Sequence, residues 1–337
     1  MKKFEYSVFI GRFSPFHNGH LEILKKALDI SEKVVVVIGS ASSPRSVKNP
    51  WNYGERKRMI ETSLSYGDLT RVSFINMNDY LYNNNLWVST LQQKVAEATN
   101  NSEKIALIGF KSDESSFYLD LFPQFEYVEH GTNCNFHATD IRNLYFAKNF
   151  EYKSMVPSGT SDFLEKFFSS EFFSPLQEEK KYIDKYKESW STAPFPPIFV
   201  TVDSVVIKSG HILVIKRGHN PGKGLYALAG GFVNQNELVQ DAALRELKEE
   251  TSIKLSLSEL RKSIVDSKVF DDPSRSLRGR VISHAFLIDL GTGTLPKIKA
   301  GDDAAGAQWM PLNEFYNLES SFFEDHFHII SFFCNKR

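Results

Sequence analysis

Two stretches of this chain set chemistry-bearing side chains at spacings that a core would not demand. In FIGRFSPFHNGHLEIL, residues 9–24, a strand-like run passes through Gly11, Arg12 and Pro15 to His17 and His20, which flank Asn18 and Gly19. A helix opening here at Gly19 and His20 would expose backbone N–H groups that favour anions, and Gly11 would let backbone come close to a ligand. The two histidines add directional donors at the same point. A positioned histidine can bind a phosphate oxygen and stabilise charge that builds up during phosphoryl transfer. A two-histidine metal half-site is the alternative, but no third ligand of suitable spacing lies nearby. In HATDIRNL, residues 137–144, Thr139 reads as an N-cap with Arg142 at the third helical position. A cation in the first turn works against the helix dipole. Either a surface ion pair or a polyphosphate lying between Arg142 and the histidines accounts for it.

The second stretch, GFVNQNELVQDAALRELKEETSI, runs from residue 231 to 253. On a helix Glu246, Glu249 and Glu250 fall at i, i+3 and i+4, so three carboxylates share one face and repel one another. Arg245 and Lys248 relieve this only in part, whereas a hard divalent cation would relieve it fully. An oxygen-only ligand set suits Mg²⁺ or Mn²⁺. Leu244 and Leu247 supply the opposite, buried side. A solvated Glu-rich helix is the bland alternative.

The elements that must hold these residues read as two different textures. In the first half β-like runs at 6–10, 33–38, 71–75, 104–108 and 125–129 alternate with helical patterns near 19–30, 54–65, 86–98 and 140–147. Such alternation with β-branched runs predicts an α/β fold, a doubly wound parallel sheet whose ligand crevice lies at the carboxyl ends of the strands. Gly11 and Gly109 each follow a strand end. The Phe-rich helices at 160–190 read as core packing rather than an interaction surface. The Pro-rich STAPFPPIF at 191–199 reads as a linker. After it, FVTVDSVVI, HILVIKRG, LYALAGGFV, one strong helix near 238–250 and VISHAFLIDL predict an α+β domain with a mixed sheet. The expected domains are therefore 1–190, a linker at 191–197, and 198–337.

The totals exclude several classes. A chain of 337 residues accommodates two ordinary domains, and 42% hydrophobic with 24% charged residues is ordinary for a soluble globular protein. A net charge of −1 gives no global basic excess for nucleic acid. The two cysteines, Cys134 and Cys334, lack ligand-spaced partners, which argues against a zinc site or disulfide framework and suits a reducing cytoplasm. The opening MKKFEYSVFIG has no apolar h-region of a signal peptide, and VVVVI at 34–38 is far too short to span a bilayer.

GRFSPFHNGH resembles the signature of the nucleotidyltransferase superfamily, and its Gly-Arg-Phe opening is most similar to nicotinamide mononucleotide (NMN) adenylyltransferases. TDIR matches the end of their second motif, with His137 and Ala138 in place of its serine and small residue. The resemblance covers about residues 1–155. It implies that the 5′-phosphate of NMN attacks the α-phosphate of ATP, releasing pyrophosphate, with Mg²⁺ on the phosphates and no covalent enzyme intermediate. It implies Arg12, His17, His20 and Arg142 for the triphosphate, with Gly11, Phe13 and Thr139 in the same nucleotide-binding motifs. Lys111, in GFKSDES, either joins them or is a solvated lysine. Trp87 matches a tryptophan that stacks on nicotinamide, or is a core residue. KNPWNYGER, residues 48–56, is expected at the pocket mouth, with Arg56 as a substrate contact.

Gly231, Glu237, Arg245, Glu246, Leu247, Glu249 and Glu250 reproduce the Nudix box, whose closing glycine is Ser252 here. Nudix enzymes hydrolyse a nucleoside diphosphate linked to another group. FDDPSRSLRGRVISHAF and KAGDDAAGAQWMPL resemble the subgroup acting on ADP-ribose. That resemblance implies Glu246, Glu249, Glu250 and Gly230 at the metal. It implies Gly230, Gly231 and Arg280 at ADP-ribose, and Asp302 or Asp303 as base. The whole chain is similar to the bifunctional NMN adenylyltransferase/Nudix hydrolase family. The expected partners are ATP, NMN and ADP-ribose, with no nucleic acid and no membrane, in a monomer or homo-oligomer. Two alternatives stay open: another acceptor in the first half, and a second half that senses ADP-ribose without cleaving it. Sensors tend to lose box carboxylates, and this chain keeps them.

Overall fold

The computed structural model describes residues 2–109, 121–131, 134–301 and 304–335. Its contacts divide the chain into two compact units, Met1–Gln177 and Glu178–Arg337.

In the first unit, strands β1 (Phe4–Gly11), β2 (Ser31–Ile38), β3 (Val72–Asn76), β4 (Ile105–Gly109) and β5 (Glu126–Glu129) form one sheet in the order β3-β2-β1-β4-β5. Every pairing is parallel. Helices α1 (Asn18–Ile30), α2 (Tyr53–Glu61), α3 (Tyr66–Leu69), α4 (Asn84–Ala98) and α5 (Ala138–Phe146) occupy the connections. The strand order reverses between β1 and β4, and in such sheets this switch point is where ligands bind, outside the carboxyl ends of the strands. Gly11 and Gly109 end those two strands, as the alternation predicted. Residues 34–38 are wholly buried because β2 is covered on both faces. Val35 and Val37 join Val8, Leu107, Leu91 and Val95 beneath α4. Each such side chain contributes about 1.5–3 kcal/mol by leaving water.

The Phe-rich region packs as core. After α6 (Ser158–Phe167), Phe168 stacks on Tyr145 at 4.6 Å and Phe173 stacks on Phe146 at 6.0 Å. Trp51 also belongs here. It is 1% exposed and lies edge-on to Tyr145 at 5.6 Å and Phe167 at 6.1 Å, so this part of KNPWNYGER is core rather than pocket mouth.

The division between units falls inside α7 (Phe173–Glu188), upstream of the Pro-rich segment. Tyr186 and Trp190 give the reason, since both rings pack on Phe199 in the second unit.

The second unit has strands β6 (Ile198–Lys208), β7 (His211–Arg217), β8 (Tyr226–Ala227), β9 (Ala229–Phe232), β10 (Ile264–Phe270), β11 (Arg280–Asp289) and β12 (Ala304–Pro311). The sheet runs β10-β11-β6-β7-β12, with β8 on β7 and β9 on β6. It is mixed: β6 and β11 are parallel and the remaining pairs antiparallel. Helix α8 (Val239–Thr251) buries Ala242, Ala243, Leu244 and Leu247 against this sheet, and α9 (Leu257–Lys262) follows it. The chain closes with α10 (Leu312–Phe315) and α11 (His326–Cys334). Among the described residues no helix is long and apolar enough to cross a membrane.

Candidate active sites

The first site is built where β1 hands over to α1. His17 is the N-cap, so α1 begins at Asn18, one residue before the predicted opening at Gly19. Its Nδ1 accepts the His20 backbone N–H at 3.4 Å, and Nδ1 of His20 accepts the His17 N–H at 3.3 Å. Two histidines thus do the work of a Ser/Glu capping box. Since both Nδ1 atoms accept, each neutral ring carries its proton on Nε2, which stays available as a donor. The rings stack at 3.6 Å, and Phe16 and Phe13 pack on His20 at 5.8 and 4.9 Å. Burial, and then the neighbouring His137, draw the His17 pKa down to about 4. Burial, and then His17, take His20 well below 6.5.

Gly11 also answers to packing. A Cβ there would come within 2.8 Å of the Phe13 ring, so glycine makes room for Phe13. Phe13 is 1% exposed with φ 52°, and its ring supports His20 from below.

Helix α5 brings the second motif to the same corner. Its N-cap is His137, not Thr139, because Asp140 at the third position accepts the His137 N–H at 2.7 Å. Arg142 is therefore the fifth helical residue. Its Nη1 donates to the Ser14 carbonyl at 2.6 Å and its Nη2 to Thr139 Oγ1 at 2.9 Å, which ties α5 to the loop carrying the histidines. Burial, and then Arg12, lower its pKa to about 10. Two guanidiniums and two Nε2–H donors at one helix terminus form a site for a multiply charged anion.

Of the remaining predicted contacts, Trp87 is partly buried on the α4 cluster, with its ring 6.1 Å from Phe122. Arg56 is 1% exposed, and its guanidinium donates to the carbonyls of Arg12, Gly39, Ser40 and Asn52 at 2.6–3.3 Å. It fastens the ends of β1 and β2 instead of facing a substrate. Lys111, Asp302 and Asp303 lie outside the described residues.

The second site is the α8 face against β9. Arg245 is its hub. It grips Glu237 with two bonds of 2.7 and 2.9 Å and reaches Glu246 and Glu249 at 2.8 Å each. The Glu237 hydrogen bond leads the effects that keep Arg245 protonated. The relief of carboxylate repulsion is therefore larger than the linear sequence suggests. Glu250 is left out of that cluster: its carboxylate accepts the Gly230 N–H at 2.9 Å. Burial pushes its pKa up to about 8 against that bond, and Glu246 adds to the rise. Gly231 lies against the Glu246 carboxylate, and a Cβ there would sit 2.5 Å from Oε1 and push that side chain aside. Ser252 adopts φ 45° and ψ 30°, so the left-handed turn of the box survives without its glycine. Among the described residues no three acidic, His or Cys groups stand ready-made around a cation. Arg245 occupies two of the carboxylates. The donor set is oxygen-only and, among the described residues, leaves Glu250 with one backbone N–H and no ion pair, which fits a hard divalent cation. Arg280 is committed to Asp271, donating to its carbonyl and lying 3.9 Å from its carboxylate.

The cytidylyltransferase-like family model matches residues 8–143, and the NUDIX domain model matches residues 197–332. The nicotinamide/nicotinic acid mononucleotide adenylyltransferase of Acinetobacter baylyi is 39% identical over 185 residues, covering 55% of this chain and 97% of that protein. The ADP-ribose pyrophosphatase of Methanocaldococcus jannaschii is 44% identical over 119 residues, covering 35% of this chain and 65% of that one. A crystal structure from Francisella tularensis, a bifunctional NMN adenylyltransferase/ADP-ribose pyrophosphatase complexed with AMP and manganese, matches at 38% identity and TM-score 0.92, with 99% of both chains covered. The chain belongs to this bifunctional family.

In the pyrophosphatase half, several buried charges escaped the sequence reading. Asp203 on β6 accepts the Ser283 hydroxyl and lies 3.9 Å from both Arg275 and His326. Arg275 forms a bidentate pair with Asp325 at 2.8 and 2.9 Å. His326 Nδ1 accepts the Leu228 N–H at 2.9 Å. This network lies behind Gly230, where a Cβ would meet Asp203 Oδ1 at 2.8 Å. A lone carboxylate inside the apolar run VTVDSVVI was its one sequence signal. Arg217 and Arg278, both beside Phe323, were missed as well.

Proposed function

We propose that the adenylyltransferase half transfers AMP from ATP to NMN, giving NAD and pyrophosphate, and that the pyrophosphatase half hydrolyses ADP-ribose to AMP and ribose 5-phosphate. The observation that carries the first assignment is the mutual capping of His17 and His20. It fixes two uncharged Nε2–H donors beside Arg12 and Arg142. Such a set binds the triphosphate and holds the α-phosphate for in-line attack by the NMN phosphate, and it gains strength as charge moves onto the leaving pyrophosphate. Thr139 and Ser14 orient Arg142, and Arg56 orients the backbone of Arg12. Trp87, half in the core, is the assigned platform for the nicotinamide ring.

In the other half a divalent cation would be held by Glu246, Glu249 and Glu250 with the Gly230 carbonyl. Mg²⁺ is the proposed ion and Mn²⁺ its substitute. When bound, the cation polarises the diphosphate and lowers the pKa of water. Binding it would require Arg245 to give up Glu246 and Glu249, and the two-bond grip on Glu237 would still hold the guanidinium in place. The box carboxylates are all present, which favours hydrolysis over sensing. The segment 191–197 is proposed as a connection that serves neither site. The test is an activity screen of the purified chain with Mg²⁺, using ATP with NMN or nicotinate mononucleotide, and a panel of nucleoside diphosphates. No NAD from ATP and NMN, or no cleavage of ADP-ribose, would refute the corresponding half.

A further inference from the structure

Two arginines outside the Nudix box share one aromatic ring. The Arg217 guanidinium lies 4.0 Å above the centre of the Phe323 ring, and that of Arg278 lies 5.8 Å from the same ring. Arg278 also stands 5.7 Å from the ring of Phe232, the last residue of β9.

The fold spends several contacts on holding Arg217 there. Its backbone is fixed on both sides, with Arg217 N–H donating to the Leu225 carbonyl and Gly224 N–H donating to the Arg217 carbonyl, each at 2.9 Å. Its Nε donates to the Pro221 carbonyl at 2.9 Å. Gly222 of that loop has φ +73°, and a Cβ there would come 2.2 Å from the Phe323 ring. The Gly222 N–H is in turn held by the buried Glu179 at 3.1 Å.

The charges of this pair are poorly balanced. Among the described residues no carboxylate forms an ion pair with Arg217, and Arg278 has one long pair with Glu324 at 3.6 Å. Burial, and then Arg278, lower the Arg217 pKa, while Glu324 and the metal-face residue Glu250 act in the opposite sense. Both guanidiniums border one ring and repel each other, so an anion that met them both would be stabilised. A planar fork against a ring is also the geometry that keeps the outer N–H groups free for oxyanions.

We infer that Arg217 and Arg278, seated on Phe323, bind the phosphate oxygens of the diphosphate substrate across from the carboxylate face of α8. This rests on the hydrolase reading above and deepens it. A cation on the glutamates and guanidiniums on the ring would hold one diphosphate from two sides. Arg280, the arginine favoured from sequence, is bound to Asp271 and takes no part.

The test uses the full chain with Arg217→Gln, Arg278→Gln and Arg278→Lys. ADP-ribose hydrolysis is measured with Mg²⁺, together with inhibition by inorganic pyrophosphate and the metal-free melting temperature. Each Gln variant should raise KM, and the inhibition constant of pyrophosphate, about tenfold or more, the loss expected for a charged hydrogen bond. The Lys variant should recover part of it, and Arg278→Gln, which loses only a long ion pair and one weak hydrogen bond, should melt within a few degrees of the parent. KM and pyrophosphate inhibition within about twofold of the parent in both Gln variants would overturn the inference, as would melting losses without a KM change. If Arg217→Gln does not fold, Arg278→Gln decides. If the parent leaves ADP-ribose intact, the hydrolase reading falls. The inference is then judged by calorimetric binding of Mg²⁺-pyrophosphate to parent and variants.

Discussion

His17 and His20 each accept the other's backbone N–H through Nδ1, with their rings stacked at 3.6 Å. One pair of side chains therefore caps α1, selects its own tautomer and leaves two Nε2–H donors. His20→Ala should cut NAD synthesis by about 10²–10³, the effect of losing one charge-stabilising donor. Hydrolysis of ADP-ribose in the same preparation should be unchanged. NAD synthesis near the parental rate would remove His20 from the mechanism.

The same pair sets a pH dependence. The folded His17 pKa is lowered from 6.5 to about 4, so between these values the unfolded chain binds more protons than the folded one. Stability of the first unit should rise with pH across that window and fall as acid is added. His17→Asn, which keeps a capping oxygen, should flatten the slope. The check is melting temperature at intervals from pH 4 to 7 for both proteins. A parent whose stability peaks near pH 5 would contradict the buried neutral imidazole.

Arg56→Met separates support from substrate contact. It leaves the carbonyls of Arg12, Gly39 and Ser40 without their donor, at a cost of roughly 3 kcal/mol. For a unit of this size that lowers melting by roughly 6–12 °C. Unchanged melting with a raised KM for NMN or ATP would return Arg56 to the pocket.

Glu250→Gln should abolish ADP-ribose hydrolysis without harming the metal-free fold. The folded pKa of Glu250 is raised from 4.5 to about 8, so its stabilising proton is held at low pH and lost as pH rises through about 8. The metal-free parent should melt lower at pH 8 than at pH 5, and the Gln variant should lose less over that interval. A Gln variant that melts below the parent at pH 8 would make the ionised carboxylate a structural element.

Ser252→Gly should stabilise the second unit by up to about 1 kcal/mol, since an L-residue at φ 45° is strained and glycine is not. Melting should rise by roughly 2–4 °C with hydrolysis unchanged. A loss of stability would mean that the serine side chain compensates for its backbone.

Periodicity and spacing in the sequence determined the alternating first half, its five parallel strands, the mixed second half, and the two motifs that sit at a helix terminus and on a helix face. These are local properties: Val34–Ile38 can only be a strand covered on both sides, and Glu246, Glu249 and Glu250 share a face in any helix. Tertiary structure decided which polar groups are spent on the fold and which are left for chemistry. Arg56 and Arg142 look alike in sequence, yet one is consumed by carbonyls from two strand ends and the other ties α5 to the loop that carries His17 and His20. Arg280 is held by Asp271, while Arg217 and Arg278 meet on Phe323, a residue more than forty positions from either along the chain. Thr139 yielded the cap to His137 because Asp140 could reach back to it, and Asp203 found its partners on segments some eighty and more than a hundred residues away. Hydrogen-bond partners are chosen by proximity in space and by burial, which raises the cost of leaving any donor or acceptor unpaired, and spacing along the chain carries neither.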